Sequence, residues 1–166
     1  VTSVSTKEKS ESAPALYDLT TLQREANRVL GYTAQQTLDY LQSLYEKRLC
    51  TYPRTDSRYL TDGMEEGVKS LVLCAAGICG LEPPFAVYAE QVCDSAKVSD
   101  HHALVPTMSS ADCELEDLPA GECELLRLMA AQVLRAVCAP HRWLETSVEL
   151  VCGGVTYSVK GKTVLD

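Results

Sequence analysis

Thr51-Tyr52-Pro53-Arg54-Thr55-Asp56-Ser57 closes a short apolar run, and its alternation organises the reading of everything around it. An extended backbone from Leu49 to Pro53 sends successive side chains to opposite sides, so Tyr52 and Arg54 share one side. A phenol beside a permanent cation suits attack on a phosphodiester. Tyrosine oxygen is a weak nucleophile at its ordinary pKa of about 10, and a neighbouring guanidinium favours both the phenolate and the charge that develops in the transition state. The plainer reading of the same residues is a half-buried strand tyrosine with a solvated arginine.

Upstream, Thr20 and Gln23 form a capping-box pattern, and Leu22, Ala26, Val29 and Leu30 recur on one face until Gly31, which predicts a helix over 20–30. Thr33 and Gln36 repeat the pattern. Ala34, Leu38, Leu41, Leu44 and Tyr45 then mark a second amphipathic helix ending at Lys47. Two helices joined by a Gly-containing turn and followed by an extended segment resemble a helix-turn-helix with a wing; a helical hairpin that only builds core has the same pattern. Downstream, Asp62 and Glu65 begin a third helix with Val68, Leu71, Val72 and Ala75 facing inward, ending near Gly77 to Gly80. Pro83-Pro84 breaks the chain, and Phe85, Val87, Tyr88 and Val92 follow as a short helix or buried loop. Leu125, Leu128, Met129, Val133, Leu134 and Val137 define a long last helix between Leu118 and Ala139, stopped by Pro140. The period then changes to two, with Val148, Leu150 and Cys152, the pair Gly153-Gly154, and Val155, Tyr157 and Val159, which is a hairpin signal. Val1 and Val4 alternate as well, so both termini are expected in one β structure from which a helical domain is inserted. The expected organisation is mainly α (α+β): strand and linker over 1–14, a helical domain over 15–143, and a β-hairpin over 144–166.

Length and charge constrain the function. A chain of 166 residues can build one core, and a first residue other than Met suggests a piece of something longer. No signal peptide or membrane span is evident. The eight cysteines contain no Cys-x-x-Cys pair and no second cluster to complete a zinc site, so they read as small buried apolar residues in a reducing cytoplasm. The net charge of -8 opposes binding of a phosphate backbone over most of the surface. The excess is uneven: nine Lys and Arg face ten Asp and Glu up to residue 70, and six face thirteen beyond it. Lys7, Lys9, Arg24, Arg28, Lys47, Arg48, Arg54 and Arg58 are either a local positive surface or ordinary solvated charges, and the expected binding is weak and salt-sensitive.

Leu16-Tyr17-Asp18-Leu19-Thr20-Thr21-Leu22-Gln23, Leu44-Tyr45-Glu46, the heptapeptide from Thr51 to Ser57, and Ser99-Asp100-His101-His102-Ala103-Leu104-Val105-Pro106-Thr107 together resemble the type IA DNA topoisomerases, in particular their topoisomerase III branch. The resemblance implies that Tyr52 takes a DNA strand as a transient 5′-phosphotyrosine, that Arg54 holds the scissile phosphate, and that His101 supports the same phosphate. Arg24, Arg58, Asp56 and Thr107 are the candidate DNA-contacting residues, Asp56 by ordering either the loop or Arg54, with a simple turn cap as its plainer reading. It also implies a winged-helix-like (CAP-like) tyrosine-bearing domain inserted into a β-rich hinge, single-stranded DNA as substrate, and the remaining domains of the same polypeptide as partners. Magnesium would be held by an acidic cluster elsewhere, so this piece alone is expected to be inactive, in a cytoplasmic, nucleoid-associated enzyme. Two other readings stay open. One is a winged-helix-like module that binds single-stranded nucleic acid without chemistry, using Tyr17, Tyr45, Tyr52 and Tyr59 as stacking surfaces. The other is a metal-dependent phosphoesterase built on Asp100-His101-His102, which lacks an upstream Asp-x-Asp partner.

Overall fold

The computed structural model describes residues 1–84 and 86–165, a mixed α/β chain of four longer helices and one three-stranded antiparallel sheet. Phe85, expected in a short helix or loop, lies outside the described residues. Contacts divide the chain into a helical unit, Pro14–Cys138, and a β unit made of Val1–Ala13 and Ala139–Asp166.

Helix α1, Leu19–Leu30, starts earlier than its expected Thr20/Gln23 cap. Asp18 is the N-cap: its Oδ1 accepts from the Thr21 amide at 2.6 Å, while the Asp18 amide donates to the Thr21 hydroxyl at 3.1 Å. A carboxylate outcompetes a hydroxyl at the positive end of a helix. Gln23 is thereby released, and its amide donates to the Ala34 carbonyl across the turn at 2.9 Å. Helix α2, Ala34–Glu46, has the expected Thr33/Gln36 box, with reciprocal bonds of 3.0 and 3.1 Å. It ends without a glycine. Arg48 takes the left-handed conformation, φ 62, while its amide donates to Tyr45 and that of Leu49 to Leu44, both at 2.8 Å. This closure normally uses glycine, and an L-residue there costs on the order of 1 kcal/mol. It turns the chain so that Leu49 and Cys50 enter the core.

After a helical turn at Asp62–Met64, helix α3 runs Glu65–Cys79. It buries the expected Val68, Leu71, Val72 and Ala75, and also Cys74, Ala76 and Ile78. Helix α4, Ala120–Ala136, is shorter than the 118–139 pattern, because Pro119 supplies its N-cap. Leu22, Leu41, Leu44, Leu104, Leu125, Leu126 and Met129 are fully buried in one core, each contributing about 1.5–3 kcal/mol by burial. Glu122, in the first turn of α4, is also buried; it accepts from the Ser43 hydroxyl at 2.8 Å and pairs with Lys47 Nζ, tying α2 to α4.

In the β unit, β1 (Ser3–Glu11) pairs with β2 (His141–Cys152) from Ser3↔Glu149 to Glu11↔His141, and β2 pairs with β3 (Val155–Leu165) from Arg142↔Leu165 to Cys152↔Val155. Gly153 and Gly154, φ 58 and 81, make the expected tight turn. The strands are longer than the alternation implied: residues 141–143, counted with the helical segment from sequence, are already strand. Val4, Val151, Val155, Tyr157, Val159 and Val164 remain more than half exposed.

All eight cysteines are free thiols. Burial pushes the Cys50 thiol up to about 12, so the folded chain holds it neutral while the unfolded chain ionises it near 9. Stability from this group is therefore full below pH 9 and is lost as pH rises from there to about 12, at up to about 1.4 kcal/mol per unit. Urea unfolding at pH 8 and pH 10.5 checks this: the wild type is expected to lose more stability than Cys50→Ala, and equal losses would refute it.

Candidate active site

The heptapeptide alternates as its sequence implies. Tyr52 is half-buried and Arg54 and Asp56 are exposed on one side, whereas Pro53, Thr55 and Ser57 are buried on the other. Among the described residues no strand ladder holds it. The extended segment after α2 pairs, among the described residues, through the single bridges Cys50↔Pro106 and Leu60↔Cys93. Hydroxyls do the holding instead: Thr51 donates to the Ala103 carbonyl at 3.0 Å, Thr55 to that of His101 at 2.8 Å, and Ser57 to that of Lys97 at 2.8 Å. Backbone bonds from Thr51 to Val105, Ala103 to Tyr59 and Thr107 to Leu49, of 2.9–3.1 Å, complete the seam. Thus the buried row of a short segment fixes the loop 97–107 against it, and the exposed row is presented outward as a consequence.

That seam brings His101 to Tyr52. Their ring centroids are 4.3 Å apart with planes at 41°, and Tyr45 also meets Tyr52, edge-on at 5.5 Å. Tyr52 packs against a histidine and a second tyrosine, and among the described residues its hydroxyl makes no hydrogen bond. Arg54 and His101 line one open groove of about 450 Å³ with Asp18, Leu19, Thr20, Asp56, Ser99 and Asp100. The α1 N-terminus is fastened there by the Leu19 amide donating to the Thr55 carbonyl at 3.1 Å. The Arg54 guanidinium and the His101 imidazole give the concavity groups that can bear on an anion, beside three carboxylates, of which Asp18 caps α1 and Asp56 accepts from Ser99. The blocks around 16–23, 45, 51–57 and 99–107 therefore meet in space.

The other expected site residues separate by position. Asp56 orders the loop, not Arg54: its Oδ1 accepts from the Ser99 hydroxyl at 2.9 Å, and no Asp56–Arg54 ion pair exists among the described residues. Arg58 Nε donates to the Leu16 carbonyl at 3.0 Å, and the Thr107 hydroxyl donates to the Arg48 carbonyl, so both brace the framework. Arg24 lies on α1 in a different groove. His102, next to His101, faces a separate apolar groove with Val68, Leu71 and Val105, its Nδ1 3.0 Å from the Ala103 carbonyl. Asp100 and His101 line one groove and His102 another, so the three do not converge as metal ligands must. Among the described residues no three His, Cys, Asp or Glu side chains are grouped to hold a metal ion, and no helix is long and apolar enough to cross a membrane. The sequence reading missed Thr55 and Ser57 as positioning residues; their alternation with Tyr52 and Arg54 was the available signal.

The helical unit carries Tyr52 and Arg54, and both of its chain ends continue into the β unit. The family described as DNA topoisomerase matches residues 1–166, and the chain belongs to that family, as a domain of the type IA class. Among its relatives, DNA topoisomerase 3 of Bacillus subtilis (strain 168) is 40% identical over 169 aligned positions, covering 94% of this chain and 22% of that protein. DNA topoisomerase 3 of Bacillus licheniformis is 38% identical with the same coverage. The full-length topoisomerase I of Thermotoga maritima shares the fold, with a TM-score of 0.70 at 24% identity over 98% of this chain and 27% of that one. The chain thus spans about a fifth of the length of these two topoisomerase 3 relatives.

Proposed function

We propose that this chain is the strand-cleaving part of a type IA DNA topoisomerase in which Tyr52 is the nucleophile. The observation that carries this is the placement of Tyr52 against His101, with Arg54 lining the same groove as that histidine. In the proposed step Tyr52 Oη bonds to phosphorus as the bond from phosphorus to the 3′ oxygen breaks, leaving a 5′-phosphotyrosine and a free 3′ hydroxyl. The guanidinium of Arg54 and the imidazole of His101 bear on the phosphate as charge gathers on its oxygens. The proton lost by Tyr52, and the one gained by the 3′ oxygen, are handled by groups outside these residues, as is magnesium. Reversal of the same step reseals the strand after another has passed. The helical unit corresponds in this reading to a winged-helix-like domain and the β unit to the hinge from which it is inserted, in a nucleoid-associated enzyme acting on single-stranded DNA.

The test is to trap the adduct. Full-length protein is mixed with a labelled single-stranded oligonucleotide, denatured, digested and mapped. The expected label is on the peptide containing Tyr52, through the 5′ phosphate of the cleaved strand. A label on any other residue, or on a 3′ phosphate, would overturn the assignment.

A further inference from the structure

On a chain of net charge -8, three guanidiniums converge on one groove. Arg24 and Arg28 from α1 and Arg135 from α4 line an open concavity of about 490 Å³ in the helical unit. Their charges are not equally committed. Arg28 holds Glu25 through bonds of 2.6 and 2.9 Å, which leaves that pair neutral. Arg135 Nη2 donates to Oε1 of the buried Gln132 and lies 3.4 Å from the Tyr17 hydroxyl. Gln132 is fixed in turn by donating to the Ala15 carbonyl at 2.5 Å. The Arg135 guanidinium is therefore aimed by neutral groups and makes no ion pair among the described residues, Glu25 being bonded to Arg28 instead. Arg24 makes no hydrogen bond or ion pair among the described residues. The groove thus has three guanidiniums to one carboxylate, beside the Tyr17 phenol, whose pKa burial raises and whose proton can be donated.

The position of this groove identifies its ligand. Asp18, Leu19 and Thr20 line the Arg54–His101 groove, and Thr21 and Arg24 line this one. No lining residue is shared, yet the two adjoin along α1, with Leu19 and Arg24 about 7.5 Å apart along the helix axis. We propose that the Arg24–Arg135 groove is a second phosphate subsite, which takes the backbone of the same DNA strand a few nucleotides from the bond at Tyr52. The proposal rests on the reading of the Tyr52 site as a phosphodiester site. Paired guanidiniums suit phosphate oxygens because each offers two donors in one plane, and contacts of this kind position a strand without reading its bases. The groove extends the local charge reversal that lets an acidic chain hold nucleic acid.

The experiment uses full-length protein carrying Tyr52→Phe, so that binding is read without cleavage. Its affinity is measured by fluorescence anisotropy for a short oligonucleotide centred on the cleavage site, and for versions lengthened by several nucleotides on the 5′ or the 3′ side, over a range of salt. One of the two extensions is expected to tighten binding by about tenfold. In a variant with Arg24→Gln and Arg135→Gln that gain should vanish, and the salt slope should become shallower by about 1.4, at roughly 0.7 per lost phosphate contact on a single strand. Arg24→Gln alone, which breaks no internal bond, should remove half of that slope, and Arg135→Lys should keep most of it. A gain from extension that is the same in the double variant, or no gain from either extension, would overturn the subsite. That failure is separable from failure at Tyr52, which is read from the position of the covalent label.

Discussion

Tyr52→Phe in the full-length protein is expected to lower relaxation of supercoiled DNA by about 10⁴-fold or more, the scale on which an enzyme loses its nucleophile. The substitution removes one oxygen and nothing else. The ring keeps its contacts with His101 and Tyr45, and no hydrogen-bond partner among the described residues is orphaned, so the melting temperature and the affinity for single-stranded DNA should change little. The covalent adduct should disappear together with the relaxation. A module that only stacks bases would tolerate the change, since stacking needs the ring alone. Relaxation that persisted in Tyr52→Phe would place the nucleophile elsewhere and return the chain to that binding reading.

Arg54→Ala is expected to slow cleavage of a single-stranded oligonucleotide by about 10²–10³-fold, the usual cost of removing a fixed donor aimed at developing charge. Arg54 is exposed and free of internal ion pairs among the described residues, so the loss should fall on the reaction and not on the fold. Single-turnover kinetics separates the two contributions: the rate constant at saturating oligonucleotide should fall much more than the affinity. Arg54→Lys should recover only part of the rate, because an ammonium supplies a point charge without the planar pair of donors. If the rate constant were unchanged and only affinity fell, Arg54 would be a general DNA contact and the charge stabilisation would have to come from another group.

The helices were legible because their apolar period and caps are local; Thr33 and Gln36 do in the structure what their spacing implies. Asp18 shows the limit of that reasoning. Two overlapping caps competed, and the choice between them depended on acceptor strength and on a use for Gln23 that lies across a turn. The strands were recognised but truncated, since the residues at their outer ends carry no alternation and are held by pairing with a strand over a hundred positions away. At the candidate site the alternation of Tyr52 with Arg54 was readable, while the meeting of Tyr52 with His101 depended on hydroxyls of Thr55 and Ser57 grasping carbonyls more than forty residues away or nearly so. Arg135 was missed altogether. It falls in an ordinary amphipathic helix, and only the packing of α4 beside α1 gives its charge a neighbour.

The pairing of β1 with β2 has a consequence for synthesis. The bond between Ser3 and Glu149 spans 146 residues, so at a translation rate of about 5–20 residues per second the first strand leaves the ribosome roughly 7–30 s before its partner exists. During that interval the helical unit, contiguous in the chain, can fold, while β1 waits without β2. Its Lys7, Glu8, Lys9 and Glu11 suit a strand that must stay soluble through that delay, because interspersed charge discourages pairing with the wrong edge.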